Sequence, residues 1–261
     1  MNENKLKMIT KIPNISTDRG LFSFILQHIS NCRDLYNNYE FVSNFDLRYN
    51  TAYFDNSISN KNTWEYFIDV ETDLSISENT ISEIWLGKVN FYGYDFNYDN
   101  IDERIIAKDI INKHVKFKDE ILKSVDYFFN DKMNGSKILG VHKRGTDISI
   151  HHNKIDIESY FNEIDLILDD YDSIFLCTDE KEVIDIFKKK YNNIITFESK
   201  TLSNNSHVPS FKYRKDGYLM GFEVIVESLL LSKADFLLKT NSNVSNFSLL
   251  YNPFLKYKNI I

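Results

Sequence analysis

The second half of the chain alternates strand-like and helix-like segments, and this alternation constrains the fold more than any other feature. Strand-like runs cover 137–144, 173–179, 193–199 and 235–240, and helical patterns lie between and after them at 156–169, 180–191, 217–234 and 243–251. This order predicts βαβ units, and therefore an α/β fold whose parallel sheet carries helices on both faces. Ligands of such sheets bind at the carboxyl ends of the strands. Residues that follow VHKR, LCTD and LLKT are therefore candidates for a site.

The first half is less regular than the second. Its patterns predict a helix over 20–36, a strand over 40–46 and largely helical structure over 102–130. The polar segment 130–136 contains one of only 8 glycines and is the best linker candidate. We therefore expect two domains, 1–130 and 131–261.

Composition and charge narrow the class of protein. Hydrophobic residues make up 43% and charged residues 26% of the 261, as in ordinary globular proteins. The net charge of −7 argues against a nucleic-acid partner. Two cysteines form neither a zinc pattern nor a disulfide framework. The N-terminus lacks an apolar signal core, and no stretch approaches the ~18 apolar residues of a membrane span. We expect a cytoplasmic protein without a transmembrane segment.

The sharpest local signal is the segment 140–147, GVHKRGTD. Residues two apart on a strand face the same side, so His142 and Arg144 should point together from the carboxyl end of the sheet. Gly145 permits a turn, and Asp147 follows in the loop. Arginine is scarce here, and its planar fork suits a phosphate or pyrophosphate. The alternative is a surface arginine that pairs with Asp147.

Two further candidate groups follow along the chain. Thr178 and Asp179 end the second strand of this half, where they would either meet a ligand or cap the next helix. Glu223 and Glu227 lie one helical turn apart and share a helix face, which in the alternative is simply solvated.

The segment 240–243, TNSN, stands where the last predicted strand meets a helix N-terminus. Free N–H groups and the helix dipole favour anions there, although Ser242 and Asn243 also suit ordinary capping. Because these groups of candidate residues follow successive predicted strands, the favoured interpretation is that they form one composite site.

The stretches VHKRGTD, LCTDEKEVIDIFKKKY and GFEVIVESLLLSKADFLLKTNSNVS resemble the fucosyltransferase superfamily. Bacterial nodulation-factor and eukaryotic α1,6-fucosyltransferases are its nearest members, and the protein O-fucosyltransferases are more distant. The family pattern of His-x-Arg, an ATD-like strand end and Leu-Ser-x-(Cys/Ala)-Asp is matched at 142–144, 177–179 and 231–235. The resemblance covers about 137–251, with fragments near Gly20 and over 62–66.

This resemblance implies a GT-B-like fold of two Rossmann-like domains, with the sugar nucleotide bound mainly by the C-terminal one. It implies an inverting glycosyltransferase that moves fucose from GDP-fucose to a glycan or polysaccharide acceptor, as in polysaccharide biosynthesis. No cofactor is implied, because the GDP-sugar is a substrate. A lipid-linked acceptor would bring the protein to a membrane surface.

The resemblance also implies residue roles. Arg144 would stabilise the departing β-phosphate, and His142 would lie against the nucleotide. Asp179 and Glu227 would lie near the base and ribose, although family members commonly have Asp where Glu227 stands. The rest of the implied donor-binding set is Gly20, Asp147, Thr178, Ser242 and Asn243.

Two points of the chemistry remain, which are whether a metal ion is required and which residue is the general base. With Arg144 supplying positive charge, no metal is required, and the Asp-x-Asp at 170–172 precedes a strand and is interpreted as a surface turn. The family carries a carboxylate a few residues beyond His-x-Arg, whereas this chain has His151 and His152 there. The pKa of histidine suits a base, so His152 is the catalytic candidate, and the alternative is that both are exposed loop histidines. Asp55 and Glu65 are alternatives.

Two other functions keep the predicted fold. The donor could be another GDP- or UDP-sugar, or the chain could bind a nucleotide without turnover. A NAD-binding domain is disfavoured, because no G-x-G-x-x-G follows a predicted strand. Aromatics of the first half could stack on acceptor sugars, but core packing is the favoured interpretation of Trp64, Tyr66, Phe67, Trp85, Phe91, Tyr92 and Tyr94.

Overall fold

The computed structural model describes residues 6–11, 20–35, 39–46, 52–55, 57–58, 62–69, 96–145, 155–202 and 216–260. Its strands are β1 (Leu6–Lys11), β2 (Tyr39–Asp46), β3 (Ile138–Lys143), β4 (Ser173–Thr178), β5 (Ile194–Ile195), β6 (Phe236–Lys239) and β7 (Lys256–Asn259). Its helices are α1 (Leu21–Leu35), α2 (Trp64–Phe67), α3 (Ile101–His114), α4 (Asp119–Lys132), α5 (Ile157–Asp165), α6 (Lys181–Lys190), α7 (Gly217–Leu231) and α8 (Asn243–Tyr251), with a 3₁₀ turn at Leu168–Asp170.

Five strands form a parallel sheet in the order β5-β4-β3-β6-β7, which confirms the predicted α/β class. The chain runs from β3 outward through β4 to β5, and then crosses to β6 and β7 on the other side of β3. The strand order therefore reverses between β3 and β6, and ligands of open α/β sheets bind at such a switch point. On these two strands, His142 and Lys239 are register partners.

Helices cover both faces of this sheet. One face packs against α7 and α8, which share a hydrophobic core with α1, α3 and α4. The other face packs against α5 and α6, around Tyr160, Phe161 and Phe187. Since α4 packs on α7 and α1 on α8, segments from both sides of residue 130 share one core, and the two-domain division stays a prediction.

Several elements differ from their predicted lengths. The strand expected over 193–199 is reduced to β5, an edge strand whose two residues pair with Ile174 and Phe175. The helix expected over 156–169 ends at Asp165 and continues as the 3₁₀ turn. The strand β7, which pairs with β6, was not predicted, because its sequence, KYKN, is polar and mostly exposed. β1 was not predicted either, and it pairs in parallel with β2.

The short helix α2 carries three of the aromatic residues of the first half, and their side chains lie in the core. Trp64, Tyr66 and Phe67 are buried, which confirms the core interpretation for these three, while the other aromatics of that set lie outside the described residues. Phe67 packs so tightly on α7 that a Cβ at Gly221 would overlap its ring. Gly221 therefore allows α2 to approach α7.

Within the described ranges, no helix combines the length and hydrophobicity that a membrane span requires.

Candidate active site

Arg144 follows β3 directly and is paired with the end of the next strand. Its Nη1 lies 3.6 Å from Oδ2 of Asp179. The other oxygen of Asp179 accepts a 2.9 Å hydrogen bond from the Gly145 backbone N–H. One carboxylate thus holds two consecutive residues beyond β3. The alternative partner, Asp147, lies outside the described residues.

The side chain of Lys143 forms a separate contact. Its Nζ lies 2.8 Å from Oε2 of Glu180, and both side chains are buried. A Cβ at Gly145 would overlap this same Glu180 carboxylate, so glycine is needed here for close approach. The buried ion pair fixes the end of β3 against the start of α6, and so sets the backbone from which Arg144 extends.

His142 is buried at the switch point. It is the register partner of Cys177 on β4 and of Lys239 on β6. Burial, and then the nearby Arg144 cation, lower the pKa of His142 to about 3, so the ring is neutral at physiological pH. Its Nδ1 has no hydrogen-bond partner among the described residues. A buried polar atom without a partner is costly, and a bound ligand would satisfy it.

Glu227 lies on α7, behind β4. It is 9% exposed, which shows that the solvated-face interpretation is wrong, and its Oε1 accepts a 3.1 Å hydrogen bond from the Ser199 hydroxyl. Burial raises the pKa of Glu227 to about 8, and the Glu223 carboxylate adds to the shift while the Ser199 hydroxyl opposes it. Glu227 thus carries a proton in the empty protein at neutral pH.

Glu223, one turn earlier on α7, is also buried rather than solvated. Its carboxylate accepts hydrogen bonds from the backbone N–H groups of Lys200 and Thr201, at 2.7 and 3.1 Å, and from the Thr201 hydroxyl. It therefore fastens the segment that presents Ser199 to Glu227. The sequence does carry a signal for this role, because two carboxylates in an otherwise apolar helix indicate buried polar contacts and not a solvated face.

The capping interpretations at the strand ends are only partly correct. The Thr178 hydroxyl accepts a 3.3 Å hydrogen bond from the Glu180 backbone N–H, whereas Asp179 faces Arg144 and Gly145. At the start of α8, the side chain of Ser242 makes no capping hydrogen bond. Ser242 and Asn243 are both half-buried, at the positive end of that helix.

A cavity of about 550 Å³ opens at the carboxyl ends of β3, β6 and β7. Arg144 and Asn241 border it from the strand ends, and Tyr98 and Tyr257 supply aromatic walls. Lys239 also lines this cavity and was missed at the sequence level. Its signal was a lysine inside an apolar strand, where a solvated charge is not expected.

The remaining predicted residues are not joined to this group by the contacts described. Gly20 opens α1 beside the Tyr53 hydroxyl. Asp55 holds a turn by accepting from the backbone N–H and hydroxyl of Ser57. The 170–172 segment precedes β4 as a mostly exposed turn, as predicted. Outside the described residues lie Asp147, His151 and His152.

No protein-family model matches this sequence, and no curated protein matches it. Solved structures do. A NodZ α1,6-fucosyltransferase soaked with GDP-fucose superposes with a TM-score of 0.59 at 13% identity, covering 96% of this chain and 94% of its own. The fucosyltransferase NodZ from Bradyrhizobium gives a TM-score of 0.58 at 14% identity, with 97% and 94% covered.

The chain has the NodZ fold. A NodZ crystal grown with GDP agrees, with a TM-score of 0.57 at 13% identity over 97% of this chain and 93% of that one. The likeness spans nearly the whole of both chains, so the NodZ fold includes the N-terminal segments as well as the five-stranded sheet. The expected α/β, GT-B-like fold is therefore confirmed, while its division into two Rossmann-like domains stays a prediction.

Proposed function

We propose that this protein is an inverting glycosyltransferase that uses a GDP-sugar, with GDP-fucose as the first candidate, and transfers the sugar to a glycan or polysaccharide acceptor. One observation carries the proposal. At the switch point of a NodZ fold, Arg144 is oriented by Asp179 beside the neutral, unsatisfied His142, with the buried Glu227 behind them.

The transfer breaks the bond between the anomeric carbon and the β-phosphate oxygen, and a bond from the acceptor oxygen to that carbon forms on the opposite face. The electron pair of the broken bond leaves with GDP, so negative charge grows on the β-phosphate. A fixed guanidinium at that oxygen stabilises the transition state, which is usually the largest single effect in catalysis. Arg144 is fixed in this sense, because Asp179 orients it from a strand end.

The nucleotide would extend from Arg144 toward Glu227. Guanine offers an N1–H and an amino group, which are two donors for one carboxylate. Once ionised, the Glu227 carboxylate has acceptor sites for both besides the one that Ser199 occupies. His142, two residues before Arg144, has an unsatisfied ring nitrogen for the nucleotide. The α8 N-terminus, with Ser242 and Asn243, would bind phosphate oxygens through free N–H groups.

An inverting transfer also requires a base that removes the acceptor proton. We assign this role to His152, with Asp55 and Glu65 as alternatives from the N-terminal half. Of the alternatives, Asp55 already accepts two hydrogen bonds from Ser57. The oriented Arg144 guanidinium and the free N–H groups of the α8 N-terminus are donors for phosphate oxygens, and they lead us to propose catalysis without a metal. We also propose a cytoplasmic location, where sugar nucleotides are made.

A purified-protein ligand screen tests this function against its alternatives. GDP and GDP-fucose at about 100 times their Kd should raise stability by ~2.7 kcal/mol, which a thermal melt detects easily, and UDP, ADP and UDP-sugars should not. Equal shifts with GDP and UDP would remove the guanine assignment. Binding of GDP-fucose without any slow release of GDP would favour the non-catalytic relative.

A further inference from the structure

We propose that Lys239 is a second cation for the leaving diphosphate, which lies between Lys239 on β6 and Arg144 after β3. This assignment rests on the proposed function and deepens it, because it gives the diphosphate a second cationic contact outside the residues that match the family pattern. The two side chains line the same cavity, from the two strands that flank the switch point.

The charge balance of the site calls for a second cation. Arg144 is already compensated by Asp179 at 3.6 Å, and His142 is neutral because burial lowers its pKa to about 3. A nucleoside diphosphate carries two to three negative charges near neutral pH. The Arg144–Asp179 pair together adds no net positive charge, so a diphosphate needs a partner whose charge is not already matched.

Lys239 meets that need. It is 2% exposed, and its Nζ donates to Oδ1 of Asn246 at 2.7 Å and approaches the Thr240 carbonyl at 3.4 Å. Both partners are neutral, and within the described part of the chain Lys239 forms no salt bridge. The Asp99 carboxylate is near enough to raise the pKa of Lys239, but among the described residues no carboxylate contacts its Nζ directly. Burying an ammonium group without a paired counter-ion costs several kcal/mol, which a bound anion offsets.

Aromatic rings account for only part of this cost. The Nζ lies 5.3 Å from the ring centre of Tyr257 and 6.0 Å from that of Tyr98, both within the range of a weak cation–π contact. Burial still lowers the pKa of Lys239 to about 8 in the empty protein. At neutral pH the amine remains mainly protonated, and a phosphate beside it would raise its pKa again.

The rest of the cavity indicates where an anion can lie. Asp99 lines the cavity and accepts a 2.6 Å hydrogen bond from the Tyr257 hydroxyl, so that side carries negative charge. Arg144, Thr240 and Asn241 line the same cavity, and the last two directly precede the start of α8 along the chain. A diphosphate is therefore favoured between Lys239 and Arg144, away from Asp99.

Calorimetric titration of the full chain with GDP, guanosine and inorganic pyrophosphate tests this inference. Lys239→Met keeps the length of the side chain and removes its charge, and should weaken GDP and pyrophosphate binding by roughly 10- to 100-fold, the effect of losing a charge-assisted contact. Guanosine binding should not change. Lys233→Met is the matched control, because Lys233 is a partly exposed lysine of the loop between α7 and β6, where it pairs with Asp126.

Lys239→Gln, which retains a donor for Asn246, repeats the test if the Met variant does not give the wild-type melting profile. GDP binding that is unchanged in the folded Lys239 variant overturns this inference and leaves the proposed function intact. Failure of the wild type to bind GDP while it binds pyrophosphate through Lys239 overturns the guanine assignment instead. Failure to bind either ligand overturns both proposals.

Discussion

Arg144 and Asp179 come from the ends of neighbouring parallel strands, and the carboxylate that lies 3.6 Å from the guanidinium also accepts from the Gly145 backbone N–H. This arrangement makes Arg144 a preorganised cation whose direction is set by the sheet. A different ion pair, the buried Lys143–Glu180 pair, holds the backbone of the same segment in place.

Arg144→Ala should lower the kcat of GDP-fucose consumption by at least ~10²-fold, as expected when one donor to a developing oxyanion is lost. Arg144→Lys should restore little, because a point charge does not reproduce the two-pronged contact. The melting temperature should change little, since the side chain borders a cavity. Lys190→Ala, which removes a cation from a half-exposed pair with Asp165, is the control. Normal turnover in Arg144→Ala contradicts the mechanism.

The site residues that could be predicted from the sequence are those at the ends of strands. Apolar runs predict β3, β4 and β6, and parallel strands bring their carboxyl ends together, so Arg144 and Asp179 could be predicted as neighbours. The apolar sequence around Glu223 and around Lys239 indicates that both are buried, but their contacts could not be predicted. The contacts of Glu223 depend on which face of α7 packs on the sheet, and those of Lys239 involve distant residues such as Tyr98 and Tyr257.

GDP affinity should rise with pH through the neutral range, until Lys239, whose pKa burial lowers to about 8, begins to lose its proton. Burial raises the pKa of Glu227 to about 8, so the carboxyl is protonated in the empty protein below that pH. Guanine donors favour the ionised form, and binding therefore releases a proton, with up to about tenfold tighter binding per pH unit. Titration calorimetry in buffers of different ionisation enthalpy measures the released proton.

Glu227→Gln is the control for this pH dependence, because the GDP phosphates titrate identically in both proteins. The variant should bind GDP more weakly at pH 8 and with a flatter pH profile. A wild type and a Glu227→Gln variant with the same pH slope would show that Glu227 does not meet the base.

Glu223→Ala should loosen the segment 199–201. The substitution removes the acceptor for the Lys200 and Thr201 backbone N–H groups, so their hydrogen exchange should accelerate by about tenfold or more. GDP binding should weaken as well, since Ser199 supports Glu227 from this segment. Glu182→Ala, on the exposed first turn of α6, should change neither quantity. Unchanged exchange at 200 and 201 would rule out the fastening role of Glu223.

Removal of divalent metal should leave turnover unchanged. In the proposed mechanism, positive charge at the diphosphate comes from Arg144, Lys239 and the α8 N-terminus. Excess EDTA should therefore alter the rate of GDP-fucose consumption by less than about twofold, and added Mg²⁺ or Mn²⁺ should not increase it. A loss of activity that either metal restores would contradict the proposed charge balance.

An NMR time course of GDP-fucose with the purified protein and no acceptor tests sugar transfer by this site directly. Because a glycosyltransferase slowly transfers its sugar to water, GDP should accumulate and the first-formed fucose should have the inverted anomeric configuration. Arg144→Ala should release GDP at least ~10²-fold more slowly. GDP release at the rate of the protein-free blank, or equal release by Arg144→Ala and the wild type, would contradict this mechanism.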